Sequence, residues 1–300
     1  MMCHKKSKFL FFAPVLAVVL CFCLGLFTGC SSVGGFDSSG VNGNNFEELE
    51  PSSFIPDCSP EELFWQKINS FAEYFSFENT EIPLRWHLVK ISLDSPGLKI
   101  AAFPSKMSEV NSGTTGKKFA GGSGCFVSVN TTPFKGKFLS SRKLVGIHKV
   151  QDEFFSRPVP GYAALVFKTQ PDGSLRAFAC SQSEEKILAD GDFAFGGFFT
   201  ILKDGQPVEF SYSSRNSRTA AGISSDGKKL FLLAVEGERR KKSRGLSYGE
   251  CAGIMLFAGA ADSIQFDGGG STSLFIEGKN ALSYRSFRKC GAFFGLYAED

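Results

Sequence analysis

Asp267 is followed by three consecutive glycines and by Ser271 in the stretch "ADSIQFDGGGSTSLFI", residues 261–276. A short apolar run precedes Asp267, so we expect this carboxylate to stand where a buried strand ends and to be presented toward a pocket. Consecutive glycines let several backbone N–H groups point into one concavity without a Cβ in the way, which suits an anion such as phosphate. A tight turn capped by the aspartate is the other interpretation of the same stretch.

Two common motifs are excluded at this loop. The stretch "DGGGST" has no lysine and precedes a predicted strand, so it is not a Walker phosphate loop. It also lacks the G-x-S-x-G pattern of a nucleophile elbow. Beyond the leader the only histidines are His87 and His148, which we interpret as structural, and no Cys/His cluster is present. We therefore expect no metal and no other cofactor, although two carboxylates and an asparagine could accept a divalent cation.

Residues 1–29 have the layout of a secretory signal peptide, with three lysines before the apolar run 9–27. The end of this leader, "LFTGCSS", resembles the lipobox of bacterial lipoproteins. That resemblance implies an exported protein, lipidated at Cys30 and anchored to a membrane facing the periplasm or cell surface. An uncleaved membrane anchor is the alternative, because the apolar run could just span a bilayer. Residues 30–57 are predicted to form a flexible tether.

The composition fits one globular domain with accessories: 300 residues, 43% hydrophobic and 21% charged, with 33 phenylalanines for an aromatic-rich core. Three of the 33 basic residues lie in the leader and none of the 30 acidic residues does, so the mature charges balance. Nothing global indicates nucleic acid as a partner, and we expect a monomer. Five cysteines remain beyond Cys30, and an odd number cannot all pair internally.

A first helix is predicted at residues 59–75, "SPEELFWQKINSFAEYF". Ser59 suits the N-cap, Pro60 the first helical position, and Glu62 the acidic position of a capping box. Four apolar residues follow at helical spacing: Phe64, Ile68, Phe71 and Phe75. The pattern predicts an N-terminal helical segment, residues 58–84, that docks one apolar face on the core.

From Arg85 the pattern changes to strands. "RWHLVKISL" and "LKIAAF", separated by the turn "DSPG", predict a hairpin. The Asp226-Gly227 pair between two apolar runs predicts another. "LSYGECAGIMLFAG" predicts a helix with Ser247 and Glu250 as its capping box, and the strand "SIQF" follows it toward Asp267.

Four segments of the chain, taken in order, resemble the phosphodiester glycosidase family: "VNTTPF", "FGGFFTILKDGQPV", "SRTAAGISSDGKKLFLLAVEG" and "GLSYGECAGIMLFAGAADSIQFDGGGSTSL". The resemblance runs from about Arg85 to Tyr297 and is most specific at Arg218-Thr219-Ala220 and at residues 267–271. It implies an α+β domain over residues 85–300, with a mixed β-sheet core and packed helices. It also implies hydrolysis of a sugar attached through a phosphodiester, with a phosphodiester-linked carbohydrate as the substrate.

The resemblance also implies which residues form the site. We predict three catalytic residues, with Asp267 as the first choice for activating water or stabilising the cation, Glu236 as the second, and Asn130 as the residue that orients substrate or water. The guanidinium of Arg218 would hold two phosphate oxygens in a fork. The predicted substrate-binding residues are Arg218, Gly196, Gly197, Gly268, Gly269, Gly270 and Ser271.

The chain departs from the family pattern at two places. Glu236-Gly237-Glu238 stands where the family commonly has Asp-Gly-Arg, and Thr131 and Thr132 stand where it commonly has glycines. A longer side chain at position 236 moves a carboxylate by about 1 Å, which catalytic geometry tolerates poorly. Two alternatives to an active hydrolase follow: a protein that only binds phosphosugars, and a surface interaction protein. The basic run 239–244 is either a solvated loop or a patch that steers an anionic polymer.

Overall fold

The computed structural model describes residues 49–136, 141–211 and 214–299. The predicted leader, Cys30 and the tether up to residue 48 lie outside the described residues. Within them the strands are β1 (Gln66–Lys67), β2 (Ala72–Asn79), β3 (Leu84–Ser92), β4 (Leu98–Phe103), β5 (Val127–Asn130), β6 (Phe134–Lys135), β7 (Lys143–Leu144), β8 (His148–Val150), β9 (Glu153–Ser156), β10 (Ala163–Thr169), β11 (Leu175–Ser181), β12 (Phe193–Gly196), β13 (Thr200–Lys203), β14 (Gln206–Pro207), β15 (Arg218–Ile223), β16 (Lys229–Val235), β17 (Asp262–Gln265), β18 (Leu274–Ile276), β19 (Lys279–Asn280) and β20 (Phe293–Ala298).

Helices are few by comparison. The α-helices of the described ranges are α1 (Gly116–Ser123), α2 (Glu185–Asp190) and α3 (Tyr248–Phe257), and short 3₁₀ turns lie at Pro51–Ser53, Met107–Glu109 and Gly269–Ser271. No helix in this part of the chain is both long and apolar enough to cross a membrane.

The strands form three main sheets. The first sheet has the order β1-β2-β3-β16-β15-β17-β13-β14, the second β11-β10-β12-β8-β9, and the third β19-β18-β5-β20-β4, while β6 and β7 pair with each other. Every pairing among the described strands is antiparallel.

The predicted fold class, α+β with a mixed sheet and packed helices, is therefore wrong. The chain is mostly β, in several antiparallel sheets. Parallel pairing requires long crossover connections, usually helical, whereas antiparallel neighbours can be joined by tight turns. Short turns join several pairs here, among them β2 with β3, β10 with β11 and β15 with β16.

The core lies between the sheets. Val89 of the first sheet, Leu165 of the second and Val129 of the third belong to one buried apolar cluster. On the opposite face of the first sheet, Leu88 packs in a second cluster that includes Met255 of α3. Adjacent residues of β3 thus pack in two different apolar clusters, because successive side chains in a strand point to opposite faces of the sheet. Burying both faces accounts for the continuous apolar runs in β3 and β16.

The helix predicted over residues 59–75 is wrong. Ser59 N–H does donate to Glu62 Oε2 at 2.8 Å, but the contact closes a turn that does not continue into a helix. Asn69 Oδ1 then accepts from the N–H groups of Phe71 and Ala72, which sets the bend between β1 and β2. β2 pairs along its whole length with β3, and Phe64 is left 84% exposed. Pairing with the sheet outweighs the helical spacing of the aromatic residues.

Of the two predicted hairpins, one forms. β15 and β16 pair around Asp226-Gly227, where Gly227 has a φ of +70°, so this prediction is confirmed. The hairpin of β3 with β4 is wrong, because β3 already has β2 and β16 on its two sides and β4 pairs with β20 instead. The capping box of α3 is confirmed by the reciprocal bonds of Ser247 and Glu250.

Part of the predicted tether packs on the domain. Phe54 is buried, and its carbonyl accepts a hydrogen bond from Trp86 Nε1 at 2.9 Å. The five cysteines beyond Cys30 are free thiols. Four of them are buried, and burial raises the pKa of the Cys251 thiol to about 12.

Candidate active site

Asp267 lies two residues beyond β17, at the start of the glycine loop (residues 268–270). Its backbone is fixed from both sides: Asp267 N–H donates to the carbonyl of Thr131 at 2.9 Å, and its carbonyl accepts from Asn130 Nδ2 at 2.7 Å. The residue as a whole is partly buried. The end of β5 therefore holds the Asp267 backbone at the start of the glycine loop.

Burial raises the pKa of Asp267 to about 6, and three neighbours act in the opposite direction. They are the Ser271 hydroxyl, the positive charge of Arg288 and the Gly268 N–H, all of which favour the charged form. A carboxyl group with this pKa exchanges its proton close to neutral pH. It is suited to general acid–base work in a way that an ordinary surface aspartate is not.

Asn130 is fully buried and has partners at both ends of its amide. Nδ2 donates to the Asp267 carbonyl, while Oδ1 accepts from the Thr219 hydroxyl at 2.8 Å and from Ser273 N–H at 3.0 Å. These bonds join β5, β15 and the segment after the glycine loop. The amide is directed into the protein, where it fixes the loop that carries Asp267.

The glycine loop passes close to β15. A Cβ on Gly268 would lie 2.8 Å from the carbonyl oxygen of Ser217, and Gly269 has a φ of +57°, which favours glycine. Gly269 N–H donates to that same Ser217 carbonyl at 2.8 Å, and Ser271 N–H donates to the Gly268 carbonyl at 3.2 Å. Two amides of the loop are thus used within the protein, and the glycines serve close backbone approach.

Gly270 faces two oppositely charged side chains. A Cβ placed on this residue would lie 3.6 Å from Arg288 Nη1 and 3.8 Å from Glu238 Oε2. The guanidinium of Arg288 also lies over the Phe134 ring, 5.4 Å from its centroid. Sequence reasoning missed Arg288, because it lies in the irregular segment "SFRKCG", where no motif marks it.

Arg218 points away from the glycine loop. Its Nε donates to the Leu246 carbonyl at 3.0 Å, its Nη2 donates to the Ser214 carbonyl, and its guanidinium lies 4.1 Å from the centroid of the Tyr248 ring. The side chain is buried on the α3 face of the first sheet, opposite to the face that bears Thr219 and Asn130. Only the backbone of Arg218 lies beside the loop.

Glu236 is buried and bonded on both oxygens. Oε1 accepts from Ser283 N–H at 2.7 Å and lies 2.9 Å from His87 Nε2, and Oε2 accepts from the Ser283 hydroxyl. His87 Nδ1 in turn lies 2.7 Å from the Tyr74 hydroxyl. Burial raises the pKa of Glu236, but the bonds from His87 and Ser283 outweigh that effect and the pKa is lowered overall. Glu236 thus anchors the loop that contains Ser283.

Gly196 and Gly197 lie at the end of β12, next to the strand that leads to Asp267. A Cβ on Gly197 would be 2.5 Å from the Gln265 carbonyl oxygen, and one on Gly196 would be 2.9 Å from the Ile147 carbonyl oxygen. Glycine at both positions allows close packing of the backbone. Of the predicted site residues, the structure brings together Asp267, Asn130, the three loop glycines and Ser271, while the side chains of Arg218 and Glu236 are bonded elsewhere.

Two surface cavities bear on the site. A groove of about 520 Å³ is lined by α1, the β18–β19 turn and residues 282–287. It shares Phe275, Asn280 and Ser286 with a narrow crevice that is also lined by Ser271 and Arg288. A larger cavity of about 610 Å³ lies between β4 and α1 and includes none of the predicted site residues. Among the described residues, no three His, Cys, Asp or Glu side chains cluster as metal ligands would.

The fold and the site thus define an antiparallel β protein with a carboxylate of raised pKa next to a glycine loop. The phosphodiester glycosidase family model matches residues 123–297, more than half of the sequence, and the chain belongs to that family.

Two solved structures are similar in fold. One, from Synechocystis, superposes with a TM-score of 0.61 at 14% identity, covering 77% of this chain and 63% of that chain. The catalytic domain of zebrafish N-acetylglucosamine-1-phosphodiester alpha-N-acetylglucosaminidase, auto-inhibited by its pro-peptide, superposes with a TM-score of 0.58 at 16% identity, covering 76% and 83%.

A sequence relative is the SPbeta prophage-derived protein YomE of Bacillus subtilis (strain 168), 29% identical over 118 residues. The match covers 36% of this chain and 18% of the relative, so the chain spans a minor part of that protein's length.

Proposed function

We propose that this chain is an exported hydrolase that releases a sugar from a phosphodiester, with Asp267 as the catalytic carboxylate. The observation that carries the proposal is the pKa of about 6 at a partly accessible aspartate beside a guanidinium. Family membership supplies the reaction class. The fold neighbour named for N-acetylglucosamine 1-phosphodiesters makes a 1-phosphodiester of that sugar the first substrate to test.

In the proposed reaction, the Asp267 carboxylate takes a proton from water as the water oxygen bonds to the anomeric carbon. The bond between that carbon and the phosphate oxygen breaks, and the phosphate leaves with the electron pair. A phosphate is a good leaving group, so one carboxylate can suffice where an ordinary glycoside needs two. Arg288 stabilises the charge on the departing phosphate. The scheme uses no metal or other cofactor.

The remaining predicted residues take positioning roles in this proposal. Asn130 holds the Asp267 backbone, the glycines let the loop lie against Ser217, and Glu236 holds the loop of Ser283. Arg218, whose guanidinium is bonded to two carbonyls and stacked on Tyr248, stabilises the approach of α3 to β15. The role of binding the phosphate, which the sequence predicted for Arg218, is assigned to Arg288 in this proposal.

The test uses the full chain, purified in detergent, with the methyl phosphodiester of N-acetylglucosamine 1-phosphate as the substrate. We expect sugar release that falls at least 100-fold in the Asp267→Asn variant. Asp262→Asn, at the first residue of β17, is the matched control and should retain the wild-type rate. Equal rates for the wild type and Asp267→Asn would refute the catalytic role.

A binding-only protein is the second candidate, and the bonded states of Glu236, Asn130 and Arg218 favour it. Such a protein binds the same phosphodiester in calorimetry and releases no sugar from it.

We propose that lipidation at Cys30 anchors the exported chain to a membrane, where it faces the periplasm or the cell surface. Labelled fatty acid should enter the wild-type chain and be absent from Cys30→Ser. Labelling of both chains would contradict the anchor.

A further inference from the structure

The 520 Å³ groove beside the site is lined by cations and aromatic rings. Its charged side chains are Lys117 on α1, Lys279 on β19 and Arg285, and its lining contains no acidic residue. All three cations are exposed, and none of them forms an ion pair with another described residue. The field within the groove is therefore positive and attracts anions.

Aromatic side chains form the apolar part of the same groove. Phe275 and Tyr284 are buried in its wall, whereas Phe287 is 81% exposed. An exposed phenylalanine next to cations offers a flat apolar face for a sugar ring, while the cations bind charged groups along the same ligand.

Buried polar groups hold the wall of the groove in place. Glu236 binds both the N–H and the hydroxyl of Ser283, and Asn280 Nδ2 donates to the carbonyls of Leu282 and Tyr284. Residues 282–284 are thus fixed by contacts from β16 and β19. A preformed groove binds a ligand without first ordering its own wall.

The groove is connected to the glycine loop through Ser286. The Ser286 hydroxyl donates to the Gly270 carbonyl at 3.2 Å and accepts from Arg288 N–H at 3.3 Å. Ser286 also lines both the groove and the crevice that reaches Ser271 and Arg288. Ser286 therefore places the wall of the groove next to the glycine loop and Arg288.

We propose that the groove binds the part of the substrate beyond the cleaved bond, and that this part is an anionic chain with repeated phosphodiesters. The proposal rests on the proposed function and extends it, because it makes the substrate an oligomer or polymer. Lys117, Lys279 and Arg285 contact successive phosphates, and Phe287 stacks on a sugar between them. The groove has the size of ordinary ligand sites, roughly 300–1,000 Å³.

The kinetic test compares phosphodiester-linked oligomers of N-acetylglucosamine 1-phosphate that contain one, two and four phosphodiesters. We expect kcat/KM of the full chain to rise about tenfold or more from one to four phosphodiesters. In Lys279→Ala/Arg285→Ala this gain should fall below twofold. Lys186→Ala/Arg157→Ala removes two exposed charges elsewhere and should keep the gain. A wild-type kcat/KM that does not change with chain length would overturn the groove proposal and leave the hydrolase proposal standing.

A binding test separates the groove from catalysis. Asp267→Asn is titrated with the four-phosphodiester oligomer and with neutral chitotetraose. We expect the neutral chain to bind at least tenfold more weakly, and the added Lys279→Ala/Arg285→Ala changes to weaken oligomer binding by a similar factor. If the wild type cleaves no phosphodiester but shows this charge-dependent binding, the groove stands and the hydrolase proposal fails. The groove proposal is refuted if Asp267→Asn binds the oligomer and chitotetraose with equal affinity. It is also refuted if the added Lys279→Ala/Arg285→Ala changes leave oligomer binding unchanged.

Discussion

Asn130 Nδ2 donates a hydrogen bond to the carbonyl oxygen of Asp267 at 2.7 Å, across 137 positions of sequence. Two residues that the sequence assigns to catalysis thus meet through the backbone of one of them. The amide of Asn130 is fully used inside the protein, whereas the carboxylate of Asp267 has a pKa raised to about 6 by burial. In the proposed reaction Asp267 is thus the reacting group and Asn130 is a residue that positions it.

Replacing Asp267 with Asn should stabilise the protein while it abolishes turnover. Because the folded pKa is raised, the native state holds its proton up to about pH 6, whereas the unfolded chain loses it near 4. The wild type therefore loses stability as the pH rises through this window. We expect Asp267→Asn to gain about 1–3 kcal/mol in the free energy of unfolding at pH 7 and nothing below pH 4. Urea titrations at pH 7 and 3.5 measure both values, and a loss of stability at pH 7 would contradict the burial of this carboxyl.

The rate should depend on pH through the same group. As a base, Asp267 acts only when it is deprotonated, so kcat/KM should rise as the pH increases through about 6 and then level off. The charge of Arg288 lowers this pKa, so Arg288→Ala should move the rising limb to higher pH. Profiles from pH 4.5 to 8 measure both effects. A rate that falls through pH 6 would mean that the acid form of the carboxyl reacts.

Replacing Asn130 with Ala should lower the stability of the folded protein, because the Asn130 amide bonds to three other groups. Asn130→Ala leaves the Asp267 carbonyl, the Thr219 hydroxyl and the Ser273 N–H without their buried partner. We expect a loss of about 2–5 kcal/mol in unfolding free energy. In a double-mutant cycle with Thr219→Val the two changes should couple by about 1 kcal/mol, and additive effects would argue against a shared network.

Arg288 and Arg218 should differ in what their loss affects. Arg288→Ala should raise KM for the phosphodiester about tenfold or more and leave the melting temperature nearly unchanged, because the side chain is exposed. Arg218→Ala should instead lower stability, because the carbonyls of Ser214 and Leu246 lose a buried donor. Kinetics and thermal unfolding of the two variants test whether Arg288 binds the phosphate and Arg218 is structural. The opposite assignment follows if only Arg218→Ala raises KM and its stability is unchanged.

Glu236→Gln should behave as a positioning change. Its folded pKa is lowered, so its contribution to stability is present above pH 4.5 and is lost as the pH falls. At pH 7 the glutamine variant should lose about 1–3 kcal/mol and keep turnover within about tenfold of the wild type. If turnover of Glu236→Gln fell as far as that of Asp267→Asn, Glu236 would have to be a catalytic residue and not a positioning residue.

The residues show which parts of this molecule follow from local sequence. The capping box of α3 and the Asp226-Gly227 turn were predictable because each is decided by neighbours in the chain. The partner of β4 and the strand at residues 72–79 depend on which sheet edges are free, which no local pattern encodes. Arg288 escaped prediction for the same reason, since it reaches Asp267 from an irregular segment. Arg218 was predicted at the site from the resemblance of Arg218-Thr219-Ala220 to the family motif. In the structure Thr219 contacts Asn130, whereas the side chain of Arg218 faces α3.

The position of β20 between β5 and β4 affects the order in which the protein can fold. β20 (Phe293–Ala298) joins strands that precede it by most of the domain, so the third sheet closes only after nearly the whole chain is available. Such distant pairings slow folding and leave unpaired edges exposed in the meantime. A chain exported as proposed would emerge unfolded, N-terminus first, and the third sheet, which includes the Asn130 strand, could close only after β20 had crossed the membrane.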